Sequence, residues 1–125
     1  MQSRFYAVRG AVCCENESED IVKNVSLMMN QIFSLNNIQS QDLVSIQFSM
    51  TSDLNEINAA TALRKGNIII DVSKVALFCT QEAQIKNMPP KIIRAMVTFY
   101  GDENLSVKNV YLNGAEKLRP DFIKG

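Results

Sequence analysis

The chain has 125 residues, 13 of them Lys or Arg and 13 Asp or Glu, and 46% of its residues are hydrophobic, so residues 1–125 are expected to form one domain around one core. A net charge of zero argues against a nucleic-acid partner, because such proteins present a basic surface to phosphates. The absence of histidine excludes Ser-His and Cys-His nucleophile pairs, an imidazole base and His-ligated metals.

The first three elements are predicted to be a strand, a helix and a second strand. Residues 3–11 are rich in aromatic and β-branched residues, which is typical of a strand. Cap residues and acids at 16–20 precede apolar residues at helical spacing, which predict a helix over 18–36. Residues 43–50 alternate between apolar and polar side chains, as in a strand with one buried face. The apolar positions are Ile21, Val25, Met28, Ile32 and Leu35 in the helix, and Val44, Ile46, Phe48 and Met50 in the strand.

The rest of the chain predicts one short helix and three strands. Ser52 and Asp53 are expected to cap an alanine-rich helix from about residue 56 to residue 65. The strands are expected over residues 75–80, 92–100 and 107–118, the last with a bend around Asn113-Gly114. The order β-α-β-α-β-β-β indicates an α/β (α+β) domain with a mixed sheet and two helices. Exposed sheet edges in so small a chain favour self-association with cyclic symmetry.

The cysteines and the apolar runs bear on the compartment. Cys13, Cys14 and Cys79 match neither a disulfide framework nor a metal or redox motif, so we expect reduced thiols. No apolar run approaches the roughly 20 residues that span a bilayer, and residues 1–10 lack the apolar stretch of a signal peptide. The sequence therefore predicts a cytoplasmic protein with no membrane partner.

Several polar residues interrupt apolar strands, where they are costly unless they meet a partner or a ligand. We expect Arg9 at the end of the first strand, Glu82 after the third, Arg94 inside the fourth and Tyr111 inside the fifth. Period two places Arg94 on the face opposite Ile93, toward a cleft, an interface or water. An ion pair, or packing of its stem along the sheet, would also account for a single arginine in a strand.

Together, these side chains at strand positions indicate a binding site for an anionic small molecule, because arginine binds carboxylates through two parallel hydrogen bonds. The set comprises two arginines, a carboxylate, a tyrosine and a thiol. The chain offers no serine or cysteine beside a base and no carboxylate cluster for a metal. Cys79 and Glu82 are three residues apart, so a straight strand would point them to opposite faces. A turn or a bulge has to be assumed if both contribute to one site.

Five short segments lie in order along nearly the whole chain. They are Val8-Arg9-Gly10-Ala11, Thr51-Ser52-Asp53-Leu54, Cys79-Thr80-Gln81-Glu82, Ile93-Arg94-Ala95-Met96, and the stretch from Val110-Tyr111-Leu112 to Leu118-Arg119-Pro120-Asp121. Together they resemble the monofunctional, trimeric α/β-barrel class of chorismate mutase. The resemblance implies a homotrimeric pseudo-α/β barrel with active sites between subunits. It also implies an isomerase of aromatic amino acid biosynthesis that converts chorismate, a dianion, to prephenate without a cofactor.

The resemblance also implies a role for each matching residue. Arg94 has a position similar to that of the family's cation that contacts the ether oxygen and a carboxylate of the substrate. Arg9 and Tyr111 have positions similar to those of the residues that bind the side-chain carboxylate. Glu82, helped by Cys79, is similar to the partner of the ring hydroxyl. The expected catalytic residues are thus Arg94, Glu82 and Arg9. The remaining members are Arg64 and Arg119 as charges on the rim and Leu118 as an apolar cover.

The chain departs from the family pattern in two places, and two other hypotheses remain open. Asn58-Ala59 stands where members usually have an aromatic residue and a proline, so Asn58 is expected in the substrate site with an apolar wall missing or supplied elsewhere. Residues 87–90 replace a glycine-rich turn. The alternatives are a trimeric module that binds a small dianion without turnover, and a trimeric protein similar to imine deaminases, which would release ammonia from imines.

Overall fold

The computed structural model describes residues 3–118. These residues form a five-stranded sheet with two helices. In chain order, the elements are β1 (Ser3–Cys13), α1 (Ser18–Leu35), β2 (Leu43–Met50), α2 (Ala59–Lys65), β3 (Ala76–Gln81), β4 (Ile92–Asp102) and β5 (Val110–Leu112), with 3-10 turns at Ser40–Asp42 and Ala115–Leu118. The order β-α-β-α-β-β-β confirms the predicted fold class. Neither helix is long and apolar enough to cross a membrane.

The strands form one open mixed sheet in the order β3-β2-β4-β1-β5. The central strand β4 pairs antiparallel with both β1 and β2, while β3 and β5 pair parallel with β2 and β1 at the two edges. The parallel pair of β2 and β3 is joined through α2, as such a connection requires, whereas β1 and β5 are the first and last strands of the described chain. A single chain therefore forms an open sheet, and closure into a barrel would need other subunits.

The helices cover one face of this sheet, and the apolar positions of β4 show the alternation that the sequence predicts. Ile93, Val97 and Phe99 face the helices and are buried, whereas Arg94 and Met96 face the other side. At Gly10 of β1 the helix layer comes very close. A Cβ there would lie 2.7 Å from the Cδ1 atom of Ile32 in α1, so a larger residue would displace the Ile32 side chain.

The other face of the sheet, which we call the open face, is not covered by either helix. It exposes four large apolar side chains, and one pair of these, Phe5 and Tyr100, has ring centroids 5.1 Å apart. The four residues are Phe5, Phe78, Met96 and Tyr100. Apolar residues gathered in this way on a sheet mark an interaction surface more often than a solvated one.

The ends of two strands differ from the predictions. β1 continues to Cys13, so Arg9 lies inside the strand and not at its end. β5 has three residues, so the strand expected over 107–118 was too long, but the chain does turn at Asn113 and Gly114, where a bend was expected, and both residues have positive φ angles (55° and 98°). Glycine adopts this conformation without steric cost, and asparagine tolerates it.

Two residues predicted in the core are exposed. Leu35 is 49% exposed because it occupies the last position of α1, where the helix leaves the sheet. Val44 is 41% exposed, and it falls where the register between β2 and β4 shifts between Leu43 and Ser45. A register shift of one residue turns a side chain to the other face, which strict alternation along β2 alone could not reveal.

The predicted start and cap of α2 were also wrong. The helix begins at Ala59, and Asn58 caps it by accepting a hydrogen bond from the Ala60 N–H at 2.8 Å. Asp53, predicted as part of the cap, instead accepts hydrogen bonds from the Thr51 hydroxyl and the Lys91 N–H. It therefore joins the end of β2 to the start of β4.

Replacing Asn58 with alanine is expected to lower the free energy of unfolding by about 1 kcal/mol, because the Ala60 N–H loses its capping acceptor. Urea denaturation measures this change. Asn58→Asp is the matched control, since its carboxylate keeps the acceptor and suits the positive end of the helix dipole. An equal loss of stability in both variants would contradict the capping role.

Candidate active site

Arg94 and Glu82 meet on the open face of the sheet. The Nε atom of Arg94 lies 3.2 Å from Oε1 of Glu82, and the Ser49 hydroxyl donates a hydrogen bond to the same oxygen at 2.5 Å. The register explains this contact, because Ser49 of β2 pairs directly with Arg94 of β4. The Glu82 N–H donates to the Met50 carbonyl, which holds the residue after β3 beside the end of β2.

The guanidinium of Arg94 retains hydrogen-bonding capacity. Its Nε atom is buried and has no hydrogen-bond acceptor within residues 3–118. The approach to Glu82 is therefore a charge contact in which the N–H does not point at the carboxylate oxygen. A buried donor without an acceptor is unfavourable, so an anionic oxygen that entered here would gain both a charge and a hydrogen-bond partner.

The pair lines a pocket of about 210 Å³, which we call the Arg94 pocket. The turn after β2 forms one wall, and the loop before β4 forms another. The apolar members of its lining include Ile85, Met88, Pro89, Pro90 and Ile92. The loop over residues 87–90, which departs from the family pattern, thus supplies an apolar wall, and Asn58 does not line this pocket.

Arg9 and Tyr111 share the open face with Arg94. Ala11 of β1 pairs with Arg94 on one side and with Tyr111 on the other, and Arg9 precedes Ala11 by two residues on the same face. Tyr111 is buried and packs with Ala11 and Ile92, and Leu118 packs against the same small cluster. The structure therefore brings together four of the predicted site residues and places Leu118 at their edge.

Asn58 and Cys79 lie elsewhere, on the helix side of the sheet. They line a second pocket, of about 420 Å³, at the N-terminal end of α2. Cys79 pairs with Phe48, which faces the core, and its thiol approaches the N–H groups of Ala59 and Ala60. Cys79 and Glu82 thus point to opposite faces, and no turn or bulge brings their side chains together within the described chain.

The two rim arginines are not joined to the Arg94 pocket in one chain. Arg64 is exposed in the last turn of α2 and lines neither of these pockets. Arg119 lies outside the described residues. The predicted set therefore divides into an open-face half (Arg9, Glu82, Arg94, Tyr111) and an α2 half (Asn58, Arg64, Cys79).

Sequence reasoning missed Ser49. In the sequence it is one of several polar residues that alternate along β2, and nothing distinguishes it from Ser45 or Gln47. Only the cross-strand register shows that Ser49, and neither of the others, lies opposite Arg94. Its hydroxyl donates to one oxygen, Oε1, of Glu82, and Glu82 lines the Arg94 pocket.

Burial keeps the three cysteines protonated at neutral pH. It raises the pKa of the Cys14 thiol to about 12, and the nearby Asp20 carboxylate adds to this shift. Burial also raises the pKa values of Cys13 and Cys79, although the α2 N–H groups lower the latter in part. Because the thiolate is the reactive form, none of these residues is activated as a nucleophile.

The free energy of unfolding is expected to fall as the pH rises from 9 toward 12, because the unfolded chain releases the Cys14 proton near pH 9 and the folded chain retains it. The contribution of the raised pKa to the free energy of unfolding is fully present below the pKa of the thiol in the unfolded chain. It is lost as the pH approaches the pKa of the thiol in the folded chain. Urea denaturation across this window should show a shallower fall in Cys14→Ala. An unchanged slope in that variant would refute this origin.

A solved structure shows the class of this fold. The chain superposes on a chorismate mutase from Clostridium thermocellum with a TM-score of 0.79 and 29% sequence identity, covering 90% of this chain and 98% of that one. Residues 5–122 match the family model of chorismate mutase type I. The fold is thus that of the chorismate mutase class.

The chain therefore belongs to the chorismate mutase type I family. It is 29% identical over 117 residues to chorismate mutase AroH of Bacillus subtilis (strain 168), covering 92% of this chain and 90% of that protein. It is 28% identical over 118 residues to chorismate mutase AroH of Thermus thermophilus, covering 92% and 93%. Its activity is that of a chorismate mutase, an isomerase of aromatic amino acid biosynthesis. These matches confirm the predicted enzyme class and favour it over the imine-deaminase-like hypothesis.

Proposed function

We propose that Arg94 is the principal catalytic residue in the rearrangement of chorismate to prephenate. The observation that carries this proposal is its Nε atom, which is buried in the pocket wall without a hydrogen-bond acceptor in the described chain. As the C–O bond of the substrate breaks, negative charge develops on the ether oxygen. A fixed cation with a free donor stabilises that charge more in the transition state than in the substrate.

The other open-face residues hold the substrate in its reactive conformer. Arg9 and Tyr111 bind the side-chain carboxylate, because Arg9 lies on β1, next to the strand of Arg94, and Tyr111 lies on β5, on the far side of β1. Glu82 accepts a hydrogen bond from the ring hydroxyl with the oxygen that Ser49 leaves free. Contacts with both ends of the substrate stabilise the reactive conformer, which is unfavourable in solution, in the bound state. This lowers the entropic part of the activation barrier.

The expected stabilisation energies of the transition state are consistent with one dominant cation and a site that is complementary to the reactive conformer of the substrate. An acceleration of about a million requires roughly 8 kcal/mol of transition-state stabilisation. One preorganised donor contributes about 3 to 4 kcal/mol, so Arg94 could supply a large share. Selection of the conformer by the remaining contacts would supply much of the rest.

The complete site is proposed to form between subunits of a homotrimer. Two features support this arrangement. The open face exposes Phe5, Phe78, Met96 and Tyr100. The α2 half of the predicted set is separated from the open-face half within one chain, although both halves border the turn of Thr51 and Ser52.

Packing of the open faces around a three-fold axis would bury the apolar residues and let the α2 half of one chain complete the Arg94 pocket of the next. Arg64, Cys79 and Asn58 would then border the substrate, with Leu118 and Arg119 at the rim.

A chorismate assay tests the function directly. Purified protein is incubated with chorismate, and the loss of its ultraviolet absorbance is followed against the spontaneous reaction. A rate no higher than the spontaneous one would overturn the proposal. Tight binding of a dicarboxylate transition-state analogue without turnover would indicate a binding module instead. We place the enzyme in the cytoplasm, in keeping with its free thiols at Cys13, Cys14 and Cys79.

A further inference from the structure

Two polar residues are buried in the described part of the chain, and both belong to α1 or its C-cap. Asn24 is 2% exposed and Asn36 is 1% exposed. Burial of an amide is costly unless its donors and its acceptor are used. Each side chain forms at least one hydrogen bond to the segment that contains β5.

Asn36 holds the chain immediately before β5. Its Nδ2 donates to the Lys108 carbonyl at 3.0 Å, and its Oδ1 accepts from the Lys108 N–H at 2.7 Å. The same Nδ2 also donates to the Ile32 carbonyl of α1 at 2.9 Å, so the side chain itself is fixed. The next residue, Asn109, accepts a hydrogen bond from the Arg9 N–H at 2.9 Å. Asn36 thus connects α1 to the backbone of Arg9 through two residues.

Asn24 holds the chain immediately after β5. Its Oδ1 accepts a hydrogen bond from Nδ2 of Asn113 at 2.5 Å. Its own Nδ2 donates to the carbonyl and the carboxylate of Asp20, one turn earlier in α1. Asn113 lies between Tyr111 and the 3-10 turn that ends at Leu118, so this contact fixes the direction in which the chain leaves the strand.

β5 needs such support because it is a very short edge strand. It pairs with β1 over three residues only, and so short a ladder is marginal by itself. We propose that Asn24 and Asn36 are positioning residues that fix β5 against β1 and thereby set the distance between Tyr111 and Arg9. The proposal rests on the proposed function, in which these two residues bind the side-chain carboxylate of chorismate.

The expected effect falls on substrate binding and leaves the chemical step intact. Arg94 lies on β4, and the hydrogen bonds of the two asparagine side chains go to α1 and to the segment around β5, so the action of Arg94 on the ether oxygen should persist. Loosening β5 should weaken the hold on the carboxylate in the substrate and the transition state alike. Such a loss of uniform binding raises KM and leaves kcat nearly unchanged. A merely structural role would lower the active fraction, and with it the apparent kcat, without moving KM.

The test compares Asn36→Ala and Asn113→Gly with a matched control. Glycine tolerates the positive φ of residue 113, so this variant leaves the turn intact and removes the contact with Asn24, together with a hydrogen bond from Asn113 to the Cys13 carbonyl of β1, even if Asn36→Ala fails to fold. The control is Asn30→Ala. Asn30 also lies on α1 and binds a loop through both ends of its amide, donating to the Asn67 carbonyl and accepting from the Ile69 N–H.

Steady-state kinetics with chorismate should show KM raised about tenfold in Asn36→Ala and Asn113→Gly, with kcat within about twofold of the wild type. Asn30→Ala should keep both constants. An unchanged KM in the two test variants, or an equal rise in the control, would overturn the inference.

Calorimetric binding of a dicarboxylate transition-state analogue provides a readout without turnover. If the wild type binds it but does not turn over chorismate, the proposed function fails, and the affinities of the three variants still decide the role of the asparagines. If the wild type does not bind it either, both proposals are wrong.

Discussion

Replacing Arg94 with lysine is expected to lower kcat for chorismate by about 10²- to 10³-fold and to leave the fold intact. Lysine keeps the positive charge beside Glu82, so the carboxylate does not lose its counter-charge. Its ammonium cannot reproduce the planar fork of donors, and it lacks an N–H at the position of the buried Nε. Steady-state kinetics, with circular dichroism to check folding, measure the effect.

Arg4→Lys is the matched control for this experiment. Arg4 lies on β1 of the same sheet, but its guanidinium sits 5.5 Å from the centroid of the Tyr6 ring, away from the Arg94 pocket. The same chemical change there should leave kcat and KM close to the wild-type values. Activity of Arg94→Lys within a few fold of the wild type would refute the role assigned to Arg94.

Replacing Phe78 with aspartate is expected to prevent assembly and to abolish most of the activity. Phe78 is 63% exposed on the open face of the edge strand β3. If this face is buried between subunits, three carboxylates per trimer would be desolvated without partners, at a cost of several kcal/mol each. Sedimentation velocity should show a trimer for the wild type and a monomer for the variant. Chorismate turnover should fall together with the trimer fraction, because we propose that each site is formed by two chains.

Leu27→Asp provides the comparison. Leu27 is also a large apolar residue, 43% exposed, but it lies on the outer side of α1 and away from the open face. The same change there should leave the sedimentation coefficient and the activity unaltered. A wild-type monomer with full activity, or a trimer that survives aspartate at position 78, would rule out assembly through the open face.

The faces of the strands were predictable from the sequence, and the reason is local. Alternation along β4 is enough to separate Arg94 from the buried Ile93 and Val97. The same rule failed at Val44, because a shift between β2 and β4 depends on the partner strand. A single strand contains no information about such an irregularity.

The start of α2 and the end of β5 depend on hydrogen bonds with groups that are distant in the sequence. Asp53 has the chemistry of a helix cap, but the Lys91 N–H, far along the chain, binds it instead. Asn58 is the cap, although its position in the family pattern suggested a pocket residue. β5 is short because the Asn113–Gly114 turn ends it, and contacts with α1 fix this turn in place.

About half of the candidate site could be predicted, and its limits are physical. Arg9, Glu82, Arg94 and Tyr111 stand out because charged or polar groups interrupt apolar strands. Ser49, Asn24 and Asn36 carry no such signal, since polar residues on an alternating strand or a helix are ordinary. Their roles arise from register and tertiary contact alone.

The contact between Arg94 and Glu82 has a consequence for selectivity. Within 3.2 Å the pocket presents both a cation and an anion, so a simple anion such as phosphate would meet the repulsion of Glu82 wherever it met the attraction of Arg94. A compound that offers a negatively charged oxygen to one and a hydroxyl hydrogen to the other satisfies both. The carboxylate would thus disfavour binding of small inorganic anions, so that charge repulsion would contribute to recognition beside attraction.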